Sequence, residues 1–294
     1  MSTTEIFDDK SDICIPFIEK HRSLYAGSDP GKPFIVALSG VQGAGKSTLV
    51  KALASKLEEE GHLKTLVCSI DDFYLRHEDQ KALAASQPDN SLVQVRGEPG
   101  THDMNLLRDF FTALCKGEPV KVPQYDKSAH GGQGDRVPES QWETINGPGQ
   151  PKTQAVIFEG WCVGFRHLNP GEMTHKWNAS SRTLHKHSPE HLNFINERLK
   201  EYDVITNTFD VLIHIDAEDT EFVYDWRLQQ EAMLRKQRGA GMTDDQVVEF
   251  VDAYYPAYEL FLDKLRDGIF LTKPGRQLRL IVGKDRKVKQ TVIL

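Results

Sequence analysis

The sequence predicts an α/β fold, with a mainly parallel central sheet flanked by helices in three layers, and three observations carry that expectation. Short apolar runs alternate with stretches of helical periodicity from residue 34 almost to the last residue. Two of those runs end in acidic residues at a turn, where a parallel strand delivers side chains to the carboxyl edge of its sheet. The first run leads into Gly40-Val41-Gln42-Gly43-Ala44-Gly45-Lys46-Ser47, a glycine-rich loop that opens a helix.

Taken in order, residues 13–25 set Phe17, Ile18, His21, Leu24 and Tyr25 at helical spacing, with Pro16 in the first turn and Gly27 as the closing cap. Residues 34–38 form an apolar strand. After the glycine loop, Leu49, Val50, Leu53 and Leu57 share one helical face, which Gly61 terminates. A second strand over residues 64–70 ends at Asp71-Asp72-Phe73-Tyr74. A long polar connection follows, with a short helix over 77–85 and the turn-rich Arg96-Gly97-Glu98-Pro99-Gly100-Thr101-His102-Asp103. Asp103 reads as the N-cap of a helix whose apolar face is Leu107, Phe110, Phe111 and Leu114. Residues 123–136 read as a mobile, locally basic loop.

The run 155–160 is a buried strand that delivers Glu159 to a turn. Beyond a histidine-bearing polar stretch, the pattern gives a helix over 191–202 and a strand over 211–215. Helices over 220–238 and 243–265 follow, divided by Gly239-Ala240-Gly241, and a last strand over 278–282 pairs with residues 287–294. No repeat or composition break interrupts the chain. The expectation is one domain over 1–294, with insertions at about 75–104 and 163–192 and a helical lid region at about 227–245.

Of the chain's 294 residues, 39% are hydrophobic, enough for a substantial core. The net charge of −7 argues against a nucleic-acid partner, because duplex binding depends on Lys and Arg neutralising phosphates. No apolar run reaches membrane-spanning length, and residues 1–12 resemble neither a secretory nor a transit segment. A cytoplasmic protein is expected, with access to the nucleus left open and four reduced thiols. Nothing in the pattern sets the oligomeric state.

The loop from Gly40 to Ser47 has the composition needed to hold the phosphates of a nucleotide. Its glycines admit φ > 0, so that backbone N–H groups of Gly40, Val41, Gln42, Gly43, Ala44, Gly45 and the helix-opening Lys46, Ser47 and Thr48 can converge on phosphate oxygens. Lys46 would reach the β and γ phosphates, and Ser47 would ligate Mg²⁺. ATP and Mg²⁺ are therefore the expected cofactors of a three-layer P-loop NTPase fold. Asp71 fits the group that orients or deprotonates an attacking hydroxyl, and with Ser47 and Glu159 it could also hold the metal. An N-cap or an ion pair would explain the same strand-end acids. Arg235 and Arg238, nearest the glycine bend, could close on the transferring phosphoryl group; a solvated basic face is the plain alternative. Arg96, His102, Tyr125, Lys127, His130 and Arg136 lie in the two loops expected to meet the acceptor, and their cationic character suggests an acceptor bearing carboxylate or phosphate.

Four blocks together resemble the phosphoribulokinase, uridine kinase and pantothenate kinase superfamily: Gly40 to Ser47, Asp71-Asp72-Phe73-Tyr74, residues 123–130, and Phe158-Glu159-Gly160. Three further blocks look like D-glycerate 3-kinase and its uncharacterised ATP-binding relatives. They are residues 96–103, Tyr125-Asp126-Lys127-Ser128 with Gly134-Asp135-Arg136, and Asp225-Trp226-Arg227-Leu228-Gln229-Gln230-Glu231. The resemblance implies that Asp71 is the catalytic aspartate, that Lys46 and Ser47 serve phosphate and Mg²⁺, and that Glu159 is the strand-end acid. It also implies transfer of a γ-phosphoryl group to a hydroxyl of a small anionic metabolite, D-glycerate first, with a pantothenate- or uridine-type acceptor or a catalytically silent ATP sensor as alternatives.

Overall fold

The computed structural model describes residues 10–25, 31–239 and 241–294. Its elements run α1 (Lys10–Tyr25), β1 (Phe34–Gly40), α2 (Lys46–Glu59), β2 (Thr65–Ser69), α3 (His77–Ser86), α4 (Met104–Cys115), β3 (Val120–Lys121), β4 (Tyr125–Asp126), β5 (Asp135–Arg136), β6 (Thr144–Ile145) and β7 (Ala155–Gly160). They continue through α5 (Pro170–Asn178), α6 (Pro189–Leu199), α7 (Asp203–Thr206), β8 (Val211–Ala217), α8 (Phe222–Arg238), α9 (Asp244–Asp252), α10 (Tyr255–Asp267), β9 (Gln277–Val282) and β10 (Val288–Ile293).

The central sheet has the order β10-β9-β8-β1-β7-β2. Only β10, at one edge, runs antiparallel to its neighbour. Because β1 and β8 are covered on both faces, every residue in them is buried, which is why their first three residues or more are apolar without alternation. Register sets Leu38 of β1 beside Glu159 of β7, and Ser69 of β2 on the other side of Glu159. The glycine loop and both strand-end acids thus issue from the carboxyl edge of three adjacent parallel strands. Two small antiparallel pairs, β3–β6 and β4–β5, stand outside this sheet. The β4–β5 pair turns residues 125–136, expected as an open loop, into a hairpin whose register joins Tyr125 to Arg136.

Several boundaries differ from the sequence reading for identifiable reasons. α1 begins a turn earlier than expected, its start tied to α2 by a 2.6 Å ion pair between Asp12 and Lys56, so Pro16 sits inside the helix rather than in its first turn. Gly27 lies outside the described residues. The helix expected over 243–265 is two helices, because Pro256 has no N–H for the Asp252 carbonyl and its ring collides with it. α6 starts at Pro189 with the Ser188 hydroxyl accepting from His191 N, and beyond Leu199 the chain tightens into a 3₁₀ turn ahead of α7. Asp103 caps α4 as expected, accepting from Leu106 N at 3.0 Å.

Among the buried polar groups within the sheet, one has no hydrogen-bond partner on its ring. His214 of β8 is fully buried, with neither ring nitrogen hydrogen-bonded, and burial pushes its pKa down to about 4. Beside it, Asp216 receives Arg266 of α10 at 2.9 Å and Arg279 of β9 at 2.6 Å, and these two cations outweigh its burial and hold its carboxyl below the usual range. Among the described residues, no helix is long and apolar enough to cross a membrane.

Candidate active site

The loop between β1 and α2 takes its shape from two glycines in the left-handed region, Gly43 at φ +80° and Gly45 at φ +98°. Gly43 is required for a second reason. A Cβ there would stand 2.6 Å from Cβ of Trp226, the fully buried residue near the start of α8. Val41 and Ala44 are buried and anchor the loop in the core, while Ser47 and Thr48 open the helix exposed. Gln42 N donates to the Tyr258 hydroxyl at 3.3 Å.

Lys46 Nζ turns back over the loop and donates to the carbonyls of Gly40 (2.7 Å) and Val41 (3.2 Å). Burial lowers its pKa, with the charge of Glu159 the strongest effect in the opposite direction. Arg286, in the turn between β9 and β10, donates through Nε to Gly43 O at 2.7 Å and lies 5.3 Å over the Trp226 ring. Trp226 Nε1 in turn donates to Lys284 O at 2.8 Å.

The chain leaves β2 through a 3₁₀ turn, Ile70–Phe73, whose first free N–H, that of Asp71, is capped by the Ser69 hydroxyl. Asp71 Oδ2 meets Lys127 Nζ at 2.6 Å, whereas Oδ1 is buried with no hydrogen-bond partner. Burial pushes the Asp71 carboxyl up, but the charge and hydrogen bond of Lys127, with the charge of Lys46 behind them, outweigh it and hold the group below the usual aspartate range. Its neighbour behaves oppositely. Burial raises Asp72 to about 6, Asp71 adding to the effect, even though Asp72 Oδ1 accepts from Tyr125 N at 3.3 Å and so tethers the β4–β5 hairpin to the sheet. Two adjacent carboxylates thus shift in opposite directions.

The structure brings Glu159, Asp71 and Lys127 close enough to act on Lys46, and sets Lys127, His102 and Lys46 around Asp71. The other expected acceptor residues are differently disposed. Arg96 donates to the carbonyls of Gly132, Gln133 and Lys127 and lies over the Tyr125 ring, so it shapes the hairpin loop. Arg136 is held by Tyr74 O (3.1 Å) and Asp103 Oδ2 (2.9 Å), with its side chain only 6% exposed. His130 pairs with Asp135 at 3.1 Å and stacks on His77. Tyr125 packs edge-on against Tyr74. Lys127 is therefore the cation of the set whose charge lies on Asp71 itself.

Arg235, expected on a lid, is engaged locally, donating to Met242 O and to Asp244, both at 2.7 Å. It lies about 14 Å along α8 from Trp226. Arg238 ends the same helix, and its side chain lies outside the described residues.

Sequence reasoning overlooked Arg286, Trp226 and Tyr202. Trp226 sits in a block already singled out, but its contact with Gly43 spans most of the chain. Arg286 lies in a basic turn between the last two strands, far in sequence from the loop that it holds. Cys68 and Cys162 are buried free thiols. A 620 Å³ cavity lies at the opposite, amino-terminal end of β8, where two of its cations are internally paired: Arg166 with Asp203 at 2.6 Å, Lys264 with Glu172 at 3.0 Å.

The family model described as adenylylsulphate kinase matches residues 32–96, which hold the glycine loop and the paired aspartates. Over 274 residues the chain is 40% identical to an uncharacterized kinase of Schizosaccharomyces pombe, covering 92% of this chain and 93% of that protein. It is 35% identical over 279 residues to the chloroplastic D-glycerate 3-kinase of Arabidopsis thaliana, covering 93% of this chain and 58% of the longer plant protein. The solved structure of D-glycerate 3-kinase from Cryptococcus neoformans superposes with a TM-score of 0.84 at 33% identity, covering 97% of this chain and 98% of that one.

Proposed function

Since the chain belongs to the family of P-loop kinases that includes D-glycerate 3-kinase, an ATP-dependent group of small-molecule kinases, we propose that it phosphorylates a hydroxyl of a small carboxylate-bearing metabolite, with D-glycerate the first candidate. The observation that carries this reading is the ion pair between Asp71 Oδ2 and Lys127 Nζ, with Asp71 Oδ1 left unpartnered. An acceptor with a hydroxyl beside a carboxylate answers both groups. Its carboxylate draws the Lys127 ammonium away, and its hydroxyl donates to the freed Asp71. Uridine has no carboxylate to offer Lys127.

In the reaction, Lys46 exchanges its loop carbonyls for the β and γ phosphates, and the loop N–H groups hold the phosphate chain. Asp71 takes the hydroxyl proton as the acceptor oxygen bonds to the γ phosphorus; the bond from that phosphorus to the β–γ bridging oxygen breaks and ADP leaves. Ser47, Asp71 and Glu159 offer the hard oxygen ligands that Mg²⁺ prefers, and the unpartnered buried Asp71 Oδ1 fits that use. Among the described residues, no group of three or more His, Cys, Asp or Glu could hold a metal, and the set offered to Mg²⁺ here is one hydroxyl and two carboxylates. Bound there, it supplies charge neutralisation at the transferring group.

The test is an ADP-release screen with D-glycerate, pantothenate and uridine, run on the wild type and on Asp71→Asn. D-Glycerate is expected to stimulate release, and Asp71→Asn to bind ATP nearly as well while losing turnover by about a thousandfold or more. Equal turnover in the variant, or no stimulation by any acceptor despite tight ATP binding, would overturn the reading.

A further inference from the structure

The Tyr202 hydroxyl, in the 3₁₀ turn after α6, meets His102 Nδ1 at 2.6 Å. The same hydroxyl accepts the backbone N–H of Gly100 at 3.2 Å. A buried phenol that accepts from an amide still has its own proton to place, and among the described residues the acceptor within reach is Nδ1. Nδ1 therefore carries a lone pair, and the ring proton sits on Nε2.

That Nε2 is buried and meets no partner. The ring cannot turn away to find one, because it is stacked on Tyr74 at 4.3 Å and 18° and meets the Tyr202 ring edge-on at 5.6 Å. Tyr74 closes the Asp71-Asp72-Phe73-Tyr74 turn, and a β-bridge joins it to His102, so the imidazole stands beside Asp71 and feels its charge. Burial nevertheless keeps the ring neutral, with a pKa of about 4. A fixed, neutral, unsatisfied N–H beside Asp71 is costly to the fold unless a ligand meets it.

We propose that Tyr202 locks His102 as the Nε2–H tautomer, and that this N–H is a neutral donor to an oxygen of the phosphoryl acceptor beside the hydroxyl that Asp71 takes. The proposal rests on the kinase reading above and divides the labour of recognition. Lys127 answers the acceptor's charge, while His102 answers the position of one oxygen, with a directionality that an ammonium lacks. His102 touches the acceptor; Tyr202 acts through His102 and is a positioning residue.

Two measurements decide it. Heteronuclear NMR of histidine-labelled wild-type protein reads the tautomer directly, and the proton is expected on Nε2 of His102. In kinetics, Tyr202→Phe keeps the ring packing and is expected to raise the acceptor KM about tenfold, with the KM for ATP unchanged. His102→Gln, whose amide nitrogen reaches the Nε2 position, is expected to recover most of the activity that His102→Asn loses, because the shorter amide reaches only to Nδ1. A proton on Nδ1 in the wild type overturns the lock, and an unchanged acceptor KM in folded Tyr202→Phe overturns its role in recognition. If no acceptor stimulates the wild-type enzyme, the kinase reading and the donor role fail together, while the spectrum still decides the tautomer.

Discussion

Replacing Lys127 by methionine keeps the length of the side chain and removes the charge resting on Asp71. The pair is 2.6 Å long, with the lysine side chain 57% exposed and the aspartate 25%. A charge-assisted hydrogen bond is worth about 1.5–3 kcal/mol when well desolvated. Screening of a half-exposed ammonium brings that to about 1 kcal/mol, or roughly fivefold. Two effects of about this size should appear with opposite consequences. Without acceptor, Asp71 is released to orient water, and ATP hydrolysis should rise about fivefold. With D-glycerate, the carboxylate loses its ammonium and the acceptor KM should rise about tenfold, while the KM for ATP stays put. ADP release measured with and without acceptor, on wild type and variant, reads both. If acceptor-free hydrolysis is unchanged and the acceptor KM does not move, Lys127 neither quiets Asp71 nor binds the acceptor.

Two further predictions concern stability. Gly43→Ala adds left-handed strain of about 1–2 kcal/mol and a Cβ pressed 2.6 Å from Trp226, for a total of about 2–4 kcal/mol. Gly45→Ala meets nothing within 4 Å, so it should cost the strain alone, about 1–2 kcal/mol. Urea unfolding of the nucleotide-free proteins compares them, and equal losses would deny the close approach of Trp226. For His214, the folded pKa of about 4 lies below the ordinary 6.5, so its stabilising contribution is present above the higher value and is lost as pH falls toward the lower one. The groups facing it are Asp216, Arg266 and Arg279. Between about pH 6 and 4.5 it should steepen the loss of stability by about 1.4 kcal/mol per pH unit, and His214→Leu should remove that increment. Parallel stability curves for the two proteins would refute the assignment.

What the sequence disclosed follows from the range over which each signal acts. The glycine loop, the Asp71-Asp72 turn and the strand ending at Glu159 are local patterns, because a strand, its turn and the next helix are written in consecutive residues. Alternation of strands and helices likewise gave the parallel sheet. The break before Pro256 was equally local, yet the apolar periodicity of residues 243–265 masked it, so a period was read where a missing N–H should have been. Contacts between distant segments left no such trace. Nothing near His102 announces Tyr202, nothing near Gly43 announces Trp226, and the engagement of Arg96 and Arg136 by carbonyls and Asp103 depends on a hairpin that its glycine-rich sequence disguised as a loop. Cationic residues in those loops looked alike in sequence, and only their partners separate Lys127 from the two arginines.

The bond from Arg286 to Gly43 joins residues 243 positions apart. During synthesis the phosphate loop emerges early, but the strand β8 beside it, the tryptophan against its glycine and the arginine on its carbonyl all emerge much later. A nascent chain therefore carries the loop's sequence long before it carries the loop's shape. Nucleotide affinity should arrive late and abruptly in translation, with the β9–β10 hairpin, which makes ATP binding a report on the arrival of that hairpin.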